Sequence, residues 1–378
     1  MLAGLRFPVE QSRGRRYPEP AHPYRNEFQR DRDRVIHTRA FRRLENKTQV
    51  FTPGLSDHFR NRLTHTLEVA QIARTVAGVL GLNEDLTEAL ALVHDIGHPP
   101  FAHAGEDQLD AIMRRFGEGF DHNLHALRIV DSFEHRYARF PGLNLSFEVR
   151  EGIVKHSRDL PRDTSGPLEE FLPGLRPPLE AQLIDLADEA AYDTADLDDA
   201  FAAGLFELEE VRSALPAFAE MLEVVERHFP GAPDRVQFQE VLRALIDHLV
   251  SGLIEGTAAA ARDSGARDAG DVRANPERLA RFTEETQELA RSLKEFLMQR
   301  VYYSPALADE RARSSEMIGE LFELFLRRPE LLPDSHRELL DREPDYRVVC
   351  DYIAGMTDGF FLRTWEQCMP ARAITPGA

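Results

Sequence analysis

The chain has 378 residues, with 46 Lys and Arg against 65 Asp and Glu, a formal net charge of −19. A hydrophobic share of 42% is enough to bury a sizeable core and excludes wholesale disorder, and two cysteines, Cys350 and Cys368, exclude a disulfide-stapled secreted domain. No apolar run approaches the roughly 20 residues of a bilayer span; the N-terminus lacks the apolar stretch of a secretory signal, and the excess of acid makes a poor general partner for DNA. A cytoplasmic protein without a membrane segment is expected, and any phosphate chemistry needs a local basic or metal-containing pocket.

In chain order, the segment 1–29 reads as an N-terminal arm, and a short hairpin is the most strand structure expected, near Arg25–Thr52. Leu63, Leu67, Ala70, Ile72, Ala73, Val76 and Leu80 form one broad stripe, which predicts a helix over 61–80. Leu86, Leu90 and Val93 predict a second over 83–95, stopped by Gly97 and Pro99-Pro100. Further helices are predicted over 124–137, 183–206, 236–254 and 314–327. The segment 348–365 also has helical spacing but contains Gly355 and Gly359. The stretches 159–178 and 256–276 read as loops from their Pro, Gly and charge content. The expectation is an all-α protein with a helical core over 30–255 and a C-terminal helical extension over 256–378 packed on it.

The histidines are unevenly spread: His65, His94, His98, His103, His122 and His125 fall within 61 residues. Carboxylates lie close in sequence, with Asp95 beside His94, Glu106 after His103 and Asp121 beside His122. Neutral imidazole with ionised carboxylate makes a mixed N/O donor set that suits Mn, Fe, Co, Ni or Zn, and Mg less well. A lone buried His65 is equally satisfied by a backbone carbonyl. The His94-Asp95 pair at a helix end, however, carries two ionisable groups to a buried edge. Asp185, Asp188, Tyr192 and Asp196 stand at i, i+3, i+7 and i+11 and so share one helix face. That face is either a solvated acidic stripe or a source of ligands.

The H…HD…D pattern of His65, His94-Asp95 and Asp188 resembles the HD-domain metal-dependent phosphohydrolases. Four flanking blocks narrow the likeness: Arg39–Phe51 (RAFRRLENKTQVF), Arg62–Ala70 (RLTHTLEVA), His94–Glu106 (HDIGHPPFAHAGE) and Ala354–Asp358 (AGMTD). Together they resemble the deoxynucleoside triphosphate triphosphohydrolases, closest to the bacterial dGTPase-like branch. The resemblance implies an HD-domain fold and a divalent metal on His65, His94, Asp95 and Asp188, acting as Lewis acid and generator of the nucleophile. It implies hydrolysis of a dNTP at the α-phosphate to deoxynucleoside and inorganic triphosphate. His122 with Glu106 matches a proton-transfer dyad, and His103 a histidine near the leaving oxygen. On their residue types alone, Glu106 and His122 could equally cap helices.

Substrate contacts follow from the same likeness. Arg62, about one turn before His65, can clamp a phosphate. Gln49 and Asp196 match positions that hold the sugar 3′-hydroxyl in the mammalian SAM-and-HD-domain relative. Tyr192 matches a tyrosine near sugar and phosphates. Tyr302, with Tyr303 as rival, matches one that packs under the deoxyribose, and His98 is placed among the substrate contacts. Related enzymes are oligomers, often tetramers or hexamers, and several take a dNTP activator, so both are expectations here. The Arg13–Arg16 and Arg25–Arg43 stretches leave single-strand binding by a basic arm as a minor alternative. The chain departs from the family pattern at Gly359, where Arg is usual. Two other readings stay open: a phosphohydrolase on a deoxynucleoside monophosphate or guanosine tetraphosphate, and a nucleotide-binding regulator with slow turnover.

Overall fold

The computed structural model describes residues 1–50 and 59–369, so Phe51 and Thr52 lie outside the described residues. Among the described residues every regular element is helical, and the only extended pairings are the isolated bridges Arg15–Ser146 and Thr48–Asn61. The segment expected to hold a hairpin instead forms the helices Glu27–Ile36 and Arg39–Arg43. Phe28 and Val35, two turns apart, share a fully buried face, and the Thr38 side chain caps the second helix by accepting from Phe41 N. No helix among the described residues is long and apolar enough to cross a membrane.

The chain divides into two compact units. The first comprises Met1–Ile36, Thr64–His94 and Asn144–Ser304. Its centre is the helix Leu179–Ala202, against which the helices Glu84–Val93, Asp234–Ser264 and Glu284–Leu297 pack. Glu84–Val93 begins at Asn83, whose side chain accepts from Leu86 N, and buries Leu86, Leu90 and Val93 as their spacing predicts. The helix Arg62–Leu80 is turned slightly from the expected stripe. Leu67 is 52% exposed, and the buried line runs through His65, Val69, Ile72, Val76 and Leu80. Asp234–Ser264 continues through the first part of the expected loop. Its Gly256 is a packing residue, not a stop: a Cβ there would lie 2.4 Å from Arg281 O, and Ala258, Ala260 and Ala261 that follow are buried.

The second unit comprises His37–Leu63, Asp95–Leu143 and Pro305–Ala378. Its core gathers Leu109, Ile112 and Met113 with Ile318, Phe322, Phe325, Val349, Ile353 and Phe361. These side chains come from the helices Ala102–Arg114, Pro305–Arg327, Asp345–Ala354 and Asp358–Cys368. The last two replace the single helix expected over 348–365. The chain leaves helix at Gly355 and restarts at Thr357, whose hydroxyl accepts from Phe360 N. The helix expected over 124–137 ends early, as His122–Arg128 followed by a π-helical turn at Ile129–Phe133. Ala102–Arg114 starts from an unusual turn. Phe101 and Ala102 both have left-handed φ, +62° and +52°. For residues with a Cβ that costs about 1–2 kcal/mol each, so neighbouring contacts must hold the turn.

Candidate metal centre and histidine–carboxylate group

In the first unit three candidate ligands converge. His65 comes from the buried face of Arg62–Leu80, His94 caps the C-terminal end of Glu84–Val93, and Asp188 lies in the middle of Leu179–Ala202. His94 Nδ1 lies 2.6 Å from Ala91 O. A carbonyl only accepts, so that nitrogen carries the proton and Nε2 keeps the lone pair a metal needs. His65 Nε2 lies 2.8 Å and His94 Nε2 3.7 Å from Asp188 Oδ1, and the three ligand atoms all fall within 4.8 Å of one another. Two donors each about 2.1 Å from one ion span at most about 4.2 Å, so both separations suit a shared cation. The residues present therefore fit a divalent metal.

Behind Asp188 stands His156, a residue the sequence reading missed. Its Nδ1 lies 2.7 Å from Asp185 Oδ1 and its Nε2 3.6 Å from Asp188 Oδ2. Asp185 is in turn held by Ser157 N at 3.0 Å and by the Arg278 guanidinium. Burial opposes a charge on His156, but hydrogen bonds and attraction from Asp185 and Asp188 outweigh it and lift the imidazole to about 10. Burial alone would raise Asp188, yet His156 and His65 hold it well below the usual carboxylate range. His156 lies two residues beyond the helix Phe147–Val154, every residue of which is buried in the structure.

The same face of Leu179–Ala202 continues to Tyr192 and Asp196. The rings of His65 and Tyr192 meet edge-on with centroids 6.0 Å apart, and Tyr192 is followed by Tyr302 at 6.1 Å. Tyr302 donates its hydroxyl to Asp196 Oδ2. Burial and the Asp196 charge push this phenol upward, so it stays a donor. Its sequence rival Tyr303 is 67% exposed. Tyr302 therefore belongs to this cluster and Tyr303 does not.

The second unit holds another group. Asp95 is buried; its Oδ2 accepts from Arg62 Nη1 at 2.8 Å, and its Oδ1 lies 2.9 Å from His98 Nδ1. His98 is held well below its ordinary value by burial and by the charges of Arg62 and His122, against the pull of Asp95. Its ring stacks on His122, centroids 3.8 Å apart and planes 25° apart. His122 Nδ1 donates to Glu106 Oε1 at 2.7 Å, and the His122 backbone N–H donates to the same oxygen at 3.0 Å. Burial would raise Glu106, but His122 and His98 lower it to about 2, so it is a carboxylate at neutral pH. His103 is exposed one turn before Glu106, its ring centroid 6.3 Å from that of His98.

The ligand atoms of His98, Glu106 and His122 also fall within 4.8 Å of one another. The in-plane lone pairs of nearly parallel stacked rings run side by side and do not converge, which favours moving a proton over holding an ion. The cap of His122–Arg128 is Asp121, accepting from Leu124 N at 2.9 Å, so His122 is not needed for that task. Gly97 makes the stack possible: a Cβ there would lie 2.0 Å from His122 O. Gln49 is buried in this unit, and its Oε1 has no hydrogen-bond partner among the described residues.

Residues 62–193 match the HD domain family, and residues 280–367 match the phosphohydrolase-associated domain. A deoxyguanosinetriphosphate triphosphohydrolase-like protein of Azoarcus sp. strain BH72 is 47% identical over 353 residues, 93% of this chain and 92% of that protein. A protein described in the same words from Geobacter sulfurreducens is 46% identical over 367 residues, 97% and 94% of the two chains. The chain belongs to the dGTPase-like HD phosphohydrolases. It is a hydrolase, and His65, His94 and Asp188 are its candidate ligands for the divalent metal that HD domains bind.

Proposed function

We propose that the protein hydrolyses deoxynucleoside triphosphates to deoxynucleoside and inorganic triphosphate. The observation that carries this reading is the convergence of His65, His94 and Asp188 ligand atoms within 4.8 Å of one another in a family of phosphohydrolases. Asp95, next to His94 in the chain, completes the proposed ligand set. When bound, a divalent metal on these residues supplies Lewis-acid polarisation of the α-phosphate and activation of the attacking water.

The protein groups have separate tasks. Arg62 is proposed to bind phosphate oxygens, and Gln49, His98, Tyr192, Asp196 and Tyr302 to hold the sugar and the adjoining phosphate. Water adds its oxygen to the α-phosphorus, the bond to O5′ breaks, and the electron pair leaves with O5′. That alkoxide needs a proton. His122 bonds Glu106 through Nδ1, which leaves Nε2 to deliver it, with His103 as second donor. Water thus supplies hydroxide to phosphorus and, by way of His122, a proton to O5′. The ionised Glu106 stabilises the transient imidazolium.

The test is product analysis. Purified protein is incubated with each dNTP and Mn²⁺, with and without a chelator. Inorganic triphosphate in equal yield with deoxynucleoside is the expected result. Orthophosphate or pyrophosphate as the sole inorganic product, or no turnover of any dNTP, overturns the reading.

A further inference from the structure

The strained turn Phe101-Ala102 launches the helix that carries His103 and Glu106, yet that helix has no side-chain cap of its own. What holds the turn comes from 257 residues away. Asp358 is buried at the head of the helix Asp358–Cys368, and its Oδ1 accepts from Phe101 N at 3.1 Å. Phe361, one turn on, meets the Phe101 ring edge-on at 5.1 Å. The other carboxylate oxygen accepts from Thr48 N at 2.8 Å and from the Thr48 hydroxyl, next to Gln49. Buried Lys47 completes the knot by donating to His98 O and, at 3.1 Å, to Ala354 O. Both ends of the turn 98–101 are thereby fixed, His98 by its carbonyl and Phe101 by its N–H. Gly105 leaves no slack, since a Cβ there would lie 2.0 Å from Pro100 O.

We propose that Asp358 is a positioning residue for the reaction: it holds the left-handed turn that aims Glu106 and His103, and with the same carboxylate fixes the Thr48-Gln49 segment. This rests on the roles given above to Glu106, His103 and Gln49. It also gives the AGMTD block a task. A carboxylate with two oxygens is the side chain able to accept from Phe101 N–H on one and from Thr48 on the other. The residue touches no reacting atom on this account; it acts through the geometry of those that do.

The experiment compares Asp358→Ala, Asp358→Asn and Thr48→Val with wild type in kcat, KM, thermal unfolding and hydrogen–deuterium exchange. Asp358→Ala is expected to lower kcat by about 30-fold or more through Glu106 and His103, and to raise KM by a smaller factor through Gln49. Exchange is expected to rise at least about tenfold in residues 98–106 and to stay unchanged in 179–202. Thr48→Val, which removes one hydroxyl donor, is expected to fall between, and Asp358→Asn, which keeps one acceptor oxygen, to recover part of the loss. A kcat for Asp358→Ala within about twofold of wild type overturns the proposal, as does an exchange increase spread evenly over the chain. If Asp358→Ala does not fold, Thr48→Val and Asp358→Asn decide by the same criteria. If wild type turns over no dNTP, the proposed function fails; local exchange at 98–106 then decides alone whether Asp358 holds this turn.

Discussion

The His98 imidazole lies over that of His122 with centroids 3.8 Å apart. The stack depends on the close approach of Gly97 to the start of His122–Arg128, where an added Cβ would lie 2.0 Å from His122 O and 2.5 Å from Ala126 N. Gly97→Ala must push the backbones apart by an ångström or more. We expect a loss of about 100-fold in kcat together with a lower Tm, since misplacement on that scale costs about two orders of magnitude. Steady-state kinetics and a thermal melt check both. Wild-type kcat in the variant would contradict the role given to the stack.

Metal removal tests the first unit. Dialysis against a chelator is expected to abolish hydrolysis, and Mn²⁺ to restore it. Asp188→Ala, which removes the carboxylate that approaches both His65 and His94, is expected to bind metal at least about 100-fold more weakly, more than the loss of an outer partner costs. Metal content after gel filtration, read by inductively coupled plasma mass spectrometry, gives the answer without any assay of turnover.

His156 gives a finer prediction. It approaches Asp188 Oδ2, while His65 meets Oδ1, and it is itself held by Asp185. His156→Gln is expected to weaken metal binding by about 10–100-fold, the range for an outer partner, while leaving the fold intact. Titration calorimetry with Mn²⁺ measures it. An unchanged affinity would show that His156 does not orient Asp188.

Glu106 sets a pH signature. Its folded value is about 2 against an ordinary 4.5, so the folded state favours its ionised form. The resulting stabilisation is complete above about pH 5 and is lost as pH falls towards about 2. The stability difference between wild type and Glu106→Gln should therefore be largest near neutrality and shrink in acid. Urea unfolding at about pH 7, 5 and 4 follows it. A difference that grows on acidification would mean the carboxylate is not held ionised by His122.

Tyr302 donates to the carboxylate of Asp196. Tyr302→Phe removes that bond and leaves a buried carboxylate short of a donor, a loss of about 1.5–3 kcal/mol for a bond to a charged group. If the pair holds the sugar, KM should rise about tenfold with kcat little changed, the mark of an interaction equal in ground and transition states. A fall in kcat at constant KM would move Tyr302 from binding to chemistry.

The sequence made some parts of this molecule plain and hid others for definite reasons. A helix with a single buried face, such as the 314–327 part of Pro305–Arg327 with Met317, Ile318, Leu321, Phe322 and Phe325 turned inward, was legible because 3.6-residue spacing writes burial directly into residue order. The grouping of His65, His94 and Asp188 was suggested by the H…HD…D resemblance; helix spacing alone left the Asp188 face open as a solvated acidic stripe. Leu67 misled because a Leu on a helix surface looks like one in a core, and the helix turned to bury His65 instead. Gly256 misled because glycine marks turns and close backbone contacts alike. His156 and Arg278 escaped notice because their partners, Asp185 and Asp188, are distant in sequence and no periodicity links them. The hold of Asp358 on Phe101 was hidden for the same reason.

Leu179–Ala202 carries Asp185, Asp188, Tyr192 and Asp196 along one side of a single uninterrupted rod. Such a rod works like a ruler whose marks cannot be shifted singly. A small roll about its axis moves ion ligation, the His156 support and the Tyr302 contact in concert. If Asp196 and Tyr302 hold a sugar and Asp188 a cation, repacking this helix disturbs both together, whereas a change confined to Tyr302 alters one without the other.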